Sequence, residues 1–397
     1  MDRDLRRFTP LVVLAKTLVQ VEENKVSVGN LSKCIRLLDV VTTELCWRRG
    51  PVTDLIVPHY LSAALSDYKL LRETAASVSP VITSSIDYKE KSSNTSIPPK
   101  NPYIKDESVS KMIEFLISQA KICLDEGNFQ ADKPPSQAVL ATRTLIRILN
   151  YLESSWESWV ILLLFQHLDL LTTVLCLVGH ADPMISKRAR MFFYHLPVPN
   201  TEVSPLVILT SLKSAFFGSF GERSVTLRKE VLTIARIFAY NFSFNLEALG
   251  KYSDFIVSCL FDSNAEVRNY CSEILSSLHR FADNDVTTSH LKQFQEWAAT
   301  PLDKSTKSSI VVRHAGCLGL ASMILAFPYE IPSFLPNVIV SFAKHSPDPD
   351  PIGSLVRSTI RSFWKTHFEQ WGEHEQRFSE EELVILKGCI VSQSHYV

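Results

Sequence analysis

Apolar residues recur at spacings of three and four along nearly all of the 397-residue chain, and the breaks between periodic stretches are short and marked by Pro, Gly, Asn and Asp. A three-to-four spacing gathers apolar side chains into one stripe of a helix, whereas a strand needs alternation at every second residue. The pattern predicts helices near 9–22, 28–48, 54–78, 107–126, 134–153, 156–178, 183–195 and 203–217. It predicts eight more near 223–242, 245–261, 264–282, 286–299, 306–326, 332–345, 352–371 and 379–391. Helices of ordinary length, taken pair after pair through short loops, predict an all-α chain built as an α-solenoid. The stretch 79–106 interrupts the series. It is rich in Ser, Pro and Lys and lacks an apolar stripe, which predicts a flexible polar linker or loop between helical repeats at 1–78 and at 107–307.

Composition narrows the function classes. Only 12 glycines are present, too few for the tight turns of an all-β chain or for a Gly-rich dinucleotide loop. Forty-one Lys and Arg balance 42 Asp and Glu, so broad electrostatic binding to nucleic acid is not expected. The eight cysteines (Cys34, Cys46, Cys123, Cys176, Cys259, Cys271, Cys317 and Cys389) form no C-x-x-C pair and fall mostly in apolar helical stretches. They are expected as buried free thiols in a reducing compartment rather than as zinc ligands or a redox couple. The N-terminus is a poor secretory leader, since Lys16 and Gln20 break its apolar stretch. The most apolar run, 159–179, contains Gln166, His167, Asp169, Thr172 and Thr173. An aspartate at mid-span costs a few kcal/mol in lipid, so this run is expected as a buried helix and no membrane partner is expected.

An internal repeat follows from the arginines. Arg188, Arg228, Arg268, Arg313 and Arg357 are separated by 40, 40, 45 and 44 residues, within the 40–47-residue period of HEAT and armadillo repeats. The stretch from Asp262 through Val267 and Arg268 to Cys271 and Leu275 has the pattern of a second HEAT helix. An aspartate there is expected to cap free backbone N–H groups. The arginine is expected to reach an acidic or carbonyl-rich edge of the neighbouring repeat and fix the stacking.

Catalytic motifs do not emerge. No Walker loop, G-x-S-x-G elbow, H-E-x-x-H or EF-hand loop occurs. Gly218-Ser219-Phe220-Gly221 is expected as an inter-helix turn, not as a nucleophile site. His314, His345, His367 and His374 lack metal-ligand spacing for one helix face, although His367 and His374, two turns apart, can share one. The chain is expected to have no catalytic residue, no metal and no cofactor. Basic clusters at Arg3/Arg6/Arg7 and Lys187/Arg188/Arg190 are expected as solvated faces, with a phosphate or phosphorylated small molecule as the alternative. Phe192-Phe193-Tyr194 and Phe216-Phe217 are expected in the inter-repeat core.

The last three residues, His395-Tyr396-Val397, place a penultimate tyrosine before the terminal carboxylate on a short stalk, a form suited to capture in a pocket. In the ninety preceding residues stand Arg313-His314-Ala315-Gly316-Cys317-Leu318-Gly319-Leu320 and Phe327-Pro328-Tyr329-Glu330-Ile331-Pro332, with Leu335-Pro336. Asp348-Pro349-Asp350-Pro351-Ile352 and Phe363-Trp364-Lys365-Thr366-His367 with Trp371 and His374 follow, then Phe378-Ser379-Glu380-Glu381-Glu382-Leu383. Together these resemble the C-terminal part of the large monomeric HEAT-repeat proteasome activators, the proteasome activator complex subunit 4 family. The resemblance implies a C-terminal activator-type helical domain at 308–391 and a mobile docking tail at 392–397. It implies an ATP-independent activator that docks between outer-ring subunits of the proteasome core particle and promotes gate opening, with His395, Tyr396 and Val397 as the proteasome-binding residues. Tyr396 matches the tyrosine of the tail pattern, and His395 stands where a hydrophobic residue is usual. The resemblance further implies a place in nucleus and cytoplasm, a role in DNA repair, and acetylated histones and an inositol phosphate as partners. Family members are several times longer, so 397 residues are expected to form only part of a dome. The alternative is a HEAT-repeat scaffold or adaptor for an unrelated protein partner.

Overall fold

The computed structural model describes residues 68–73, 107–126, 135–154, 168–195, 205–243, 245–282, 284–302 and 307–390, with a few isolated positions before residue 68. The linker expected at 79–106 and most of the helices expected before it lie outside the described residues. Among the described residues every regular element is helical and no strand occurs. The elements are α1 (Glu107–Glu126), α2 (Gln137–Ser154), α3 (Leu168–Val178), α4 (Pro183–His195) and α5 (Pro205–Phe217). Next come a single turn α6 (Ser219–Arg223), α7 (Val225–Asn241), α8 (Leu246–Cys259), α9 (Ala265–Leu278) and α10 (Asn284–Ala298). The described series ends with α11 (Lys307–Leu325), α12 (Leu335–Ala343), α13 (Ile352–His367), the short α14 (Trp371–His374) and α15 (Glu380–Ile390).

Short polar side chains start many of these helices by accepting bonds from N–H groups that the helix cannot satisfy itself. Ser136 bonds Val139 N before α2, and Asp182 bonds Met184 N and Ile185 N at α4. Ser224 bonds Leu227 N at α7, Asn245 bonds Ala248 N at α8, and Asn264 bonds Glu266 N and Val267 N at α9. Asp262, expected as the cap of α9, stands one step further out: its carboxylate holds Asn264 N at 2.7 Å and leaves the capping to Asn264. Ser219, expected in a turn, starts the one-turn α6. Gly221 is required there, since a Cβ would lie 2.0 Å from the Phe216 carbonyl oxygen.

By the packing of its helices the chain divides into two compact units, residues 1–227 and 228–397. In the first, α1 packs on α2 and α3, while α4 packs on α2 and α3. Phe192, Phe193 and Phe216 are buried as expected, but Tyr194 and Phe217 are exposed, because consecutive helical residues cannot all face one side. The described half of the apolar run 159–179 is α3, with Leu170, Leu171 and Val174–Val178 buried.

In the second unit the helices alternate between two layers. The second helix of each pair packs on the second helix of the next: α9 on α11, and α11 on α13. The predicted arginines mark this layer, one per helix: Arg228 on α7, Arg268 on α9, Arg313 on α11 and Arg357 on α13. Arg228, Arg268 and Arg313 each reach a neighbouring pair, whereas Arg357 stays with the α12–α13 loop of its own pair. Arg228 Nε lies 2.7 Å from Asp262 Oδ2. Arg268 donates to the Asp262 and Ser263 carbonyls and to His314 Nδ1. Arg313 grips both oxygens of Asp348, at 2.8 and 3.0 Å, and donates to the Thr300 carbonyl. Arg357 bonds the Ser346 carbonyl and faces Asp350. The first unit repeats the device with Arg143 and Asp182, whose Nη2–Oδ2 distance is 2.7 Å.

Helix α11 is the centre of the second unit, packing on α9, α10, α12 and α13. Its Ala315-Gly316-Cys317-Leu318-Gly319 stretch gives α10 room: a Cβ at Gly319 would sit 2.3 Å from the Phe294 ring, and one at Gly316 2.3 Å from Ala298 N. The span 308–325 is apolar and long enough to cross a membrane by composition, but 61% of it is buried among its neighbours. Helix α13 stops at His367, short of the expected 371. There Thr366 Oγ1 and His367 Nδ1 both turn to the Phe363 carbonyl, occupying an acceptor that a continuing helix would use. Two 3₁₀ turns, Phe368–Gln370 and Glu375–Arg377, flank α14 and lead to α15.

Candidate functional site

The end of the described chain is a firm mount. Ser379 and Glu382 form a reciprocal capping box at α15: Glu382 Oε2 accepts from Ser379 N at 2.8 Å, and Ser379 Oγ accepts from Glu382 N at 3.3 Å. Three glutamates in the first turn suit the positive end of the helix dipole. Helix α15 packs on α12 and α13 with Leu386 fully buried, and Lys387 reaches Glu375 at 3.3 Å. Beneath it an aromatic row runs from Trp364 through Trp371 (ring centroids 4.5 Å apart) to Phe378 (5.8 Å). Arg377 ties the segment back to the Ile331 carbonyl. The tail residues His395, Tyr396 and Val397 lie outside the described residues.

A second feature lies in the first unit. Lys69, Arg72, Glu73, Arg143, Thr144, Arg147, Met184 and Arg188 line a cleft of about 90 Å³. Arg143 is held by Asp182 and Arg147 by Glu73 at 2.7 Å, while Lys69 stands 3.9 Å from Glu73. Five cationic groups meet two carboxylates among the described residues, Glu73 in the lining and Asp182 behind Arg143, which leaves a positive excess. Of these, sequence reasoning singled out only Arg188, within Lys187/Arg188/Arg190. Arg143 and Arg147, one turn apart, and Lys69 and Arg72, three apart, are helix-spaced pairs visible in the sequence; their convergence depends on the fold.

Two constellations resemble nucleophile sites and fail as such. Cys123 Sγ lies 3.4 Å from His180 Nε2, but His180 Nδ1 accepts from Asp182 N, so the proton sits on Nε2 and the ring cannot take the thiol's. Burial also pushes the thiol up to about 11 and the imidazole down. Ser322 lies 3.3 Å from His279, which meets His290 and then Asp254, yet Ser322 is fully buried beside the Gly319 carbonyl. Among the described residues no three His, Cys, Asp or Glu side chains gather closely enough to hold a metal. His314 accepts from Arg268, and His345 sits between Arg313 and Asp348. His367 and His374 meet edge to face at 5.2 Å, with His367 directed to the Phe363 and Glu330 carbonyls. The described thiols Cys123, Cys176, Cys259, Cys271 and Cys317 are free and buried, and Cys389 is half-buried.

Helix pairs tied through an arginine ladder and closed by a capped terminal helix define a helical-repeat protein. Residues 310–397 match the family described as proteasome activator complex subunit 4-like, C-terminal. Over 204 residues, 48% of this chain, it is 28% identical to proteasome activator complex subunit 4 of Homo sapiens, of which the match covers 11%. Proteasome activator complex subunit 4B of Danio rerio is 31% identical over 153 residues, 36% of this chain and 8% of the relative. Proteasome activator BLM10 of Saccharomyces cerevisiae is 27% identical over 160 residues, 38% of this chain and 7% of the relative. The chain thus spans a small fraction of the length of these relatives, and the small residues of α11 and the Asp348–Ile352 loop fall inside the matched region.

Proposed function

We propose that this chain works in proteasome activation: the C-terminal unit docks on the outer ring of the core particle through Tyr396 and the terminal carboxylate, and docking promotes gate opening without ATP. The observation that carries this reading is the family match, which runs from Ile310 through Val397 and so includes the tail. Physically, a tail on a rigid mount loses less orientational freedom on binding than one on a loose stalk, and the α15 capping box and buried Leu386 supply such a mount. With His395 in place of an apolar residue, docking is expected to outlast gate opening.

Peptide hydrolysis by latent core particle tests this, with wild-type chain and with Tyr396→Ala. Stimulation by the wild type that Tyr396→Ala abolishes is the expected result. If neither chain stimulates, co-sedimentation with core particle separates two cases. A bound but silent chain keeps the docking reading, and an unbound chain hands the lead to a scaffold for an unrelated partner, for which removal of the tail is immaterial.

The positive cleft supports a second binding role, for a small polyanion such as an inositol phosphate. Guanidinium groups match phosphate oxygens in pairs, and the excess of cationic side chains over the carboxylates Glu73 and Asp182 favours such a ligand. Calorimetry with inositol hexakisphosphate is expected to show binding that weakens with salt and is lost in Lys69→Glu/Arg188→Glu; equal affinity in that variant would refute the site. Acetylated-histone binding, DNA repair and a place in nucleus and cytoplasm rest on the family resemblance alone, and no residue is assigned to them.

A further inference from the structure

Four helices of the second unit are joined by one line of polar side chains. Asp254 on α8 lies 3.1 Å from His290 Nε2 on α10, and His290 Nδ1 lies 3.3 Å from His279 Nε2 at the end of α9. His279 Nδ1 lies 3.3 Å from Ser322 Oγ on α11, and Ser322 Oγ lies 2.6 Å from the Gly319 carbonyl oxygen. The line runs from solvent to core: the Asp254 side chain is 69% exposed, both histidines are buried, and Ser322 is fully buried. The line joins the α8–α9 pair to the α10–α11 pair.

Counting hydrogens shows what this arrangement can do. Each of the four contacts needs one hydrogen between its two heavy atoms. With Asp254 ionised and both imidazoles neutral, three are available: one on each ring and one on the hydroxyl. If Ser322 donates to Gly319, its oxygen then faces the bare Nδ1 of His279, lone pair to lone pair. A single added proton removes the deficit. His290 then carries hydrogens on both nitrogens, donating to Asp254 and to His279 Nε2. His279 stays neutral but holds its hydrogen on Nδ1, from which it donates to Ser322. One proton enters from solvent, one N–H moves across the His279 ring, and all four contacts are filled.

We infer that Asp254, His290, His279 and Ser322 form a one-proton switch, in which acidification places charge on His290 beside Asp254 and turns the buried His279 from its Nε2–H to its Nδ1–H tautomer. The surroundings favour this placement of charge. From α8 the facing carboxylate is Asp254. From the end of α9, Arg280 is committed through its Nε to the Ala326 carbonyl. From α10 the Phe294 ring lies against both imidazoles, at centroid distances of 6.1 and 5.7 Å, and from α11 the neutral Ser322 hydroxyl faces His279. Burial, and secondarily the adjoining His290, pushes His279 down to about 3, so the interior ring answers by tautomer and not by charge. The switch thus couples solvent acidity to the seam between two helix pairs.

The test is long-range ¹H–¹⁵N correlation spectroscopy of the whole chain labelled with ¹⁵N-histidine, from about pH 8 to about pH 5, either side of the ordinary imidazole value of about 6.5. The two rings are identified by their nuclear Overhauser contacts with Phe294. The expected result is a neutral His279 at both extremes, Nε2–H when basic and Nδ1–H when acidic, changing together with charging of His290. Asp254→Asn, at an exposed position, is expected to move the transition to at least about tenfold higher proton concentration. An Nε2–H tautomer throughout, an imidazolium signal at His279, or a transition unmoved by Asp254→Asn would each overturn the inference. The wild-type titration decides by itself if a variant does not fold.

Discussion

The arginine ladder has an interior end and a surface end, and the two use the same chemistry in opposite surroundings. At the α7–α9 seam Arg228 and Asp262 are 7% and 6% exposed and 2.7 Å apart, and Asp262 is further engaged by Asn264 N. At the start of α13, Arg357 and Asp350 are 48% and 72% exposed and 3.6 Å apart. Between them stands the Arg313–Asp348 pair, at 18% and 11%. A buried charge that loses its partner has no water to fall back on, while an exposed one is rehydrated at once. The ladder is therefore a graded device, in which one spacing in sequence yields rungs of very different consequence.

The largest expected effect comes from opening the interior rung from one side. Arg228→Met keeps an apolar stem but strands the Asp262 carboxylate, with an expected loss of about 3–5 kcal/mol in urea unfolding. Adding Asp262→Asn should recover part of that loss, since a neutral amide still accepts from Asn264 N and no longer needs a counter-charge. If the double variant is no more stable than Arg228→Met, the stranded charge is not the cause and the interior rung acts through packing.

His314 offers a pH-dependent probe of the same ladder. It lies under the Arg268 guanidinium, accepting from Nε at 3.1 Å, and burial first and Arg268 second push it down to about 4. In the unfolded chain an imidazole charges near about 6.5, so the folded state binds fewer protons between these values. The contribution is fully present above about pH 6.5 and is lost as pH falls toward about 4. The separation corresponds to about 3 kcal/mol as an upper bound. Urea unfolding at the two extremes should show this loss, and His314→Gln, whose amide oxygen can still accept from Arg268, should flatten it. An unchanged slope in His314→Gln would place the acid sensitivity elsewhere.

The fold was legible where one physical rule suffices. Apolar periodicity placed 107–126 and 183–195 to the residue, because nothing else competes with the helix there. The 40–45-residue arginine spacing marked the second helix of each pair; acidic partners across the seam stand at Asp262 and Asp348, while the Ser263 and Ser346 carbonyls belong to the arginine's own pair. Legibility failed where side chains compete locally: Thr366 and His367 end α13 early, and Asn264 takes over the cap expected of Asp262. It failed wholly where remote segments converge. Nothing in the sequence brings Lys69 to Arg143, or Ser322 to a histidine 43 residues earlier. The tail is a reading from the sequence alone: capture of a terminal carboxylate and a tyrosine would need only a few consecutive residues, and these lie outside the described structure.

The surface rung supplies the smallest expected effect and the sharpest check on the comparison. Arg357→Ala removes an exposed pair at 3.6 Å together with a 3.0 Å bond to the Ser346 carbonyl, whose oxygen water can reach. The expected loss is below about 1 kcal/mol, and most of it should vanish at high salt, because exposed pairs are screened. Equilibrium unfolding at low and at molar salt measures both parts. A loss near that of Arg228→Met, or one indifferent to salt, would mean that the Ser346 carbonyl and not the ion pair carries the rung. The ladder would then be a backbone-anchoring device along its whole length, with the aspartates as accessories at its buried end.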